Sequence, residues 1–61
     1  MAEYIEYGYD RKANSWCVIV FDENGYEINS SYVGHKESLK YELERMKAEY
    51  NVQRVIKVKA Y

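Results

Sequence analysis

Two periodicities divide the chain. Up to residue 33, and again after residue 51, apolar positions alternate with polar ones or run together. Between residues 36 and 50 they recur every three to four positions. Residues 3–9 (Glu-Tyr-Ile-Glu-Tyr-Gly-Tyr) alternate and are rich in aromatics, which predicts a first strand. After a polar stretch from Asp10 to Ser15, Trp16-Cys17-Val18-Ile19-Val20-Phe21 is a short, β-branched apolar run, a second strand. Asp22-Glu23-Asn24-Gly25 contains Asn-Gly, the dipeptide that accepts φ > 0 at both centres of a type I′ hairpin turn. A third strand follows from Tyr26 to Val33 and stops at Gly34. Leu39, Leu43, Met46 and Tyr50 then form one stripe of a helix over residues 36–50. Glu42, Glu44, Arg45, Lys47 and Glu49 lie between them as a solvated face, and Asn51 is placed to close the helix in the left-handed conformation. Residues 52–61 return to period two, a fourth strand. The expected order is β-β-β-α-β, an α+β domain spanning residues 1–61 with no linker or repeat.

A two-residue loop at Asn24-Gly25 sets Cys17 opposite Tyr32, Ile19 opposite Ser30 and Phe21 opposite Ile28 on one face of the sheet. Trp16 then faces Val33, Val18 faces Ser31, and Val20 faces Asn29 on the other. The row of Cys17, Ile19 and Phe21 is expected to meet the helix, joined by Ile56, Val58 and the first-strand row Ile5, Tyr7 and Tyr9. The parity of the first loop leaves that last row open. A right-handed crossover makes strand four parallel to strand one, giving sheet order 3-2-1-4 with the helix on one face. The helix-free face is then expected to carry Tyr4, Trp16, Val18, Val20, Val33, Val55, Lys57 and Lys59, with Tyr61 beside them. An apolar centre inside a charged rim is the anatomy of a protein interface, and pairing across a two-fold axis is the commonest way to close one.

Composition strengthens the case for a partner. For 61 residues, apolar burial contributes on the order of 95 kcal/mol and ordering the chain costs about 90 kcal/mol. Small domains gain the missing margin from a disulfide, a metal or another chain. Cys17 is the only cysteine, so no internal disulfide is available, and a reducing cytoplasmic setting is expected. One His and one Cys make no metal-ligand set, and no cofactor is expected. The first residues lack the basic and apolar regions of a secretory signal, and no apolar run reaches membrane-spanning length.

Candidate chemistry is sparse. His35, at the helix entrance, reads as a solvated turn residue, and Cys17, inside an apolar strand, as an inert core thiol. With no phosphate-binding loop and no nucleophile, acid and base in a motif, the chain is expected not to be an enzyme. Eight tyrosines invite base stacking, yet a net charge of −1 disfavours nucleic acid. Charge is unevenly shared: residues 1–34 carry two bases against six acids, residues 35–61 seven bases against four acids. Such asymmetry favours docking of acidic on basic surfaces.

The order of elements, with Trp16-Cys17-Val18-Ile19-Val20-Phe21-Asp22 and Gly34-His35-Lys36-Glu37-Ser38-Leu39 at a strand and a helix start, resembles the first half of the ribonuclease-H-like fold. It is also similar to the HicB-type antitoxin domain. The chain lacks the proline that commonly follows the Phe in HicB-type domains. The fourth strand holds no carboxylate, so the resemblance does not imply nuclease activity. The expected function is a non-catalytic protein-interaction module that homodimerises through the helix-free face. The alternatives are a small viral or mobile-element inhibitor, or antitoxin-like protein, binding a host factor, and weak nucleic-acid binding through a Tyr/Lys sheet face.

Overall fold

The computed structural model describes all residues from Met1 to Tyr61. Its elements are β1 (Ala2–Asp10), β2 (Ser15–Asp22), β3 (Glu27–Val33), α1 (Lys36–Tyr50) and β4 (Val55–Lys57). They form one four-stranded sheet of order β3-β2-β1-β4, antiparallel from β1 to β3, with β4 parallel to β1. The expected order of elements and of strands is the one found.

The two hairpins are set by local chemistry. Asp10 accepts the amides of Lys12 and Ala13 at 3.0 and 3.3 Å, and Asn14 takes a left-handed φ of 53°. A four-residue loop therefore faces Asp10 with Ser15. In the second hairpin the Asp22 carboxylate accepts the amides of Asn24 and Tyr26, both at 2.9 Å. Only Gly25 there adopts positive φ, 84°, so the turn is a three-residue loop and not the expected two-residue one. A bulge between Val20 and Phe21 absorbs the extra residue. The pairs from Trp16↔Val33 to Val20↔Asn29 consequently keep the register expected for the shorter loop, while Phe21 faces Glu27 instead of Ile28.

Helix α1 ends as Asn51 suggests. Its φ/ψ of 54°/48° is left-handed, and the amide of Val52 reaches back to the Lys47 carbonyl at 3.0 Å. That six-to-one bond, with Val52 buried beyond it, is a Schellman closure. Val52 therefore belongs to the helix stop, and the last strand is three residues long, shorter than the expected 52–61. Beyond it the chain stays against β1: the amides of Val58 and Tyr61 donate to the carbonyls of Tyr7 and Tyr9 at 2.9 and 3.1 Å.

The core lies between α1 and the sheet. It consists of Ile5, Val18, Val20, Leu39, Met46 and Val52, with Trp16, Tyr7, Leu43, Tyr50 and Val55 packed around it. This reverses the expected faces of β2. Val18 and Val20 are 0% exposed beneath the helix, Val33 is buried, and the half-buried Trp16 packs on the core with its ring edge-on to Tyr9 at 5.4 Å. The reason lies in β1. The register Ile5↔Val20, Tyr7↔Val18 and Tyr9↔Trp16 joins those rows. The opposite row of β1 is Tyr4, Glu6, Gly8 and Asp10, and burying its two carboxylates beneath a helix without cationic partners would cost several kcal/mol. Ile5, Tyr7 and Tyr9 do face the helix as expected, but in company with Val18 and Val20.

Hydrogen bonds tie the outer side of the helix to β3. Ser31 donates to Glu42 at 2.8 Å, and the Asn29 amide donates to the Tyr50 hydroxyl at 2.8 Å. Glu42 is also bonded by Arg45, which reaches on to Glu49. The Arg45 bonds chiefly, helped by Ser31, hold the Glu42 carboxyl below its usual range against the opposing effect of burial.

Candidate functional site

The face of the sheet away from α1 is built by the alternate row of each strand. Glu6 pairs with Ile19 and Ile56, Gly8 with Cys17, and Tyr4 with Phe21. On β3, Cys17 faces Tyr32 and Ile19 faces Ser30. Side chains at directly opposed positions share a face, so these residues make one continuous surface.

One half of this surface is covered by the chain itself. A Cβ on Gly8 would stand 2.7 Å from the Val58 side chain and 3.1 Å from the Tyr61 ring. Gly8 thus clears the way for the C-terminal residues to cross β1. Tyr61 then donates a hydrogen bond to Glu6 at 3.2 Å. Burial and the nearby Glu6 carboxylate hold its phenol well above the usual range. This places Tyr61 with Glu6 on the helix-free face, the side expected for it.

The other half, over β2 and β3, has nothing docked on it. Tyr4 and Phe21 stack at 5.1 Å with planes 20° apart, and the Arg54 guanidinium lies 5.5 Å from the centre of the Tyr4 ring. Ile19 and Phe21 are half-buried. Tyr32 remains 58% exposed, and Ile28, in the bulge next to Glu27, the partner of Phe21, 42%. Tyr32 donates to Asp10 at 3.3 Å. The result is an aromatic and aliphatic strip along β2 and β3 with Asp10 near one end and Glu27, opposite Phe21, at the other.

Chemically the strip is quiet. Cys17 is 5% exposed, and burial, with Asp10 and Glu27 pushing the same way, raises its thiol above the ordinary 9.0 against the opposing bond from Tyr32. It stays protonated at neutral pH, without the thiolate a nucleophile needs. Negative charge on Cys17 and Asp10 likewise raises the Tyr32 phenol. His35 is exposed at the helix start and makes no side-chain cap. No group of three or more His, Cys, Asp or Glu side chains is arranged to hold a metal ion, and no helix is long and apolar enough to cross a membrane.

Of the eight residues expected on the helix-free face, Tyr4 lies on it, and so does Tyr61, expected beside them. Trp16, Val18, Val20, Val33 and Val55 belong to the helix side. Lys57 is exposed on the same row as Val55, opposite Tyr7, and Lys59 is exposed beyond the last strand. The residues missed are Ile19, Phe21, Ile28 and Tyr32. The carboxylates of β1 were the available signal: whichever row of β2 pairs with Glu6 and Asp10 belongs outside.

Comparison with protein-family models, with curated proteins and with solved structures gave no match.

Proposed function

We propose that this chain is a non-catalytic protein-interaction module that self-associates through the uncovered β2–β3 half of its helix-free face. The observation that carries this reading is the strip of Ile19, Phe21, Ile28 and Tyr32, apolar and partly exposed on a sheet surface with no helix or tail over it. Tyr4, stacked on Phe21, extends the strip toward β1. Large aromatics beside aliphatics supply the centre of many interfaces, and Asp10 and Arg54 supply charge at its margin. A chain this small also gains most from burying such a strip, because its own burial barely exceeds the cost of ordering it.

Glu6 and Asp10 on this surface make it a poor ligand for phosphates, so the nucleic-acid reading draws less support. The inhibitor or antitoxin-like reading uses the same strip against a different protein. Light scattering coupled to size exclusion decides the matter. At tens of micromolar the wild type is expected as a dimer, and Ile28→Glu and Ile19→Glu as monomers with unchanged far-ultraviolet circular dichroism. A wild-type mass of 7.3 kDa overturns self-association.

A further inference from the structure

Helix α1 packs chiefly on β2 and β3, so the helix side of β1 and β4 is only partly covered. A cleft of about 400 Å³ remains there, within the range of ligand-binding pockets. Its apolar lining is Tyr7, Leu39, Leu43 and Val55, and its rim carries Lys36, Lys40, Glu44 and Lys47. Lys36, Lys40 and Lys47 recur at i, i+4 and i+11 and therefore stand on one stripe of the helix. Lys57 extends the cationic rim from the sheet, since it pairs with Tyr7 and so shares that face.

Charge balance around this cleft is one-sided. Glu44 is the single acid in its lining and is bonded to Lys47 at 3.0 Å. Lys36, Lys40 and Lys57 form no ion pair, whereas Arg45, on a different stripe of the same helix, is held by two glutamates. We propose that the cleft binds an acidic peptide segment of a partner protein, with one apolar side chain seated on Tyr7, Leu43 and Val55 and flanking carboxylates on Lys36, Lys40 and Lys57. The shape selects the anchor and the unpaired lysines select the charge. A concave apolar floor inside a cationic rim suits a segment that inserts a side chain better than it suits a flat anionic surface. The proposal does not depend on the self-association strip, which lies across the sheet.

A random-peptide phage library selected on the immobilised protein tests it. The selected peptides are expected to combine several Glu or Asp with a large apolar residue. Their affinity is expected to fall at least about tenfold in the K36E/K40E double variant and to stay unchanged in Ile28→Glu. Lys36 and Lys40 are exposed, and circular dichroism confirms that the double variant is folded. Amide chemical-shift changes on titrating a selected peptide should centre on Tyr7, Leu43 and Val55. Recovery of no consensus, a neutral or basic consensus, binding indifferent to the charge reversals, or shifts centred on Ile19 and Tyr32 would each overturn the proposal.

Discussion

The two rows of β2 differ little in sequence and greatly in circumstance. Trp16, Val18 and Val20 face α1, and both valines are fully buried in a shared core. Cys17, Ile19 and Phe21 face the other way, with only Cys17 fully enclosed. Hydropathy alone ranks the rows as equals. The neighbouring strand separates them, because β1 offers Ile5, Tyr7 and Tyr9 to one row and Tyr4, Glu6, Gly8 and Asp10 to the other. The face of a central strand is thus decided by what its partners can tolerate beneath a helix.

The sharpest way to break this comparison is a pair of adjacent charge insertions. Val18→Glu places a carboxylate in the enclosed core beside Met46 and is expected to cost about 4 kcal/mol or more, unfolding the domain. Ile19→Glu, one residue along, is expected to cost no more than about 2 kcal/mol, because its new charge stays in reach of water. Urea titrations followed by circular dichroism measure both, and equal losses would dissolve the distinction between the rows. A smaller effect is expected from Gly8→Val. Its side chain would meet Val58 and Tyr61, so the C-terminal residues must lift from the sheet, at about 1–3 kcal/mol. Removing Tyr61 in the same chain should recover part of that loss.

The smallest effect is a pH dependence confined to the helix-free face. The native thiol of Cys17 keeps its proton above pH 9.0, where the unfolded chain releases it. The native state then binds more protons than the unfolded one, so stability falls as pH rises from there toward the raised native value. Cys17→Ala should flatten the first part of that decline. An unchanged slope would assign it to the tyrosines alone, of which Tyr32 and Tyr61 are raised in the same sense.

Much of the architecture was legible in the residue pattern. Leu39, Leu43, Met46 and Tyr50 marked the helix, Asn51 its end, and the crossover rule the order of the strands. The register of β2 against β3 was legible too, although by a different route: a three-residue loop and a bulge reach the pairs that a two-residue loop would have made. The candidate surface was less legible, because it hinged on the parity of the loop after Asp10. With Asp10 facing Ser15, the row of Ile5 falls beside Val18 and Val20. Asp10 and Asn14 carry the turn chemistry that sets this parity, but polar residues there are compatible with several loop lengths. Tyr61 lies on the expected face, but its close seat over β1 was not legible, for another reason. Its position depends on an absent side chain at Gly8, far away in the sequence.

Asn29 links the border of the sheet to the helix. Its amide nitrogen anchors Tyr50, while its oxygen accepts the Ser30 amide at 2.9 Å, along the one long strand that has no neighbour on its outer side. A foreign strand that took the Ser30 amide there would displace that oxygen, which belongs to the same side chain that bonds Tyr50 of the helix.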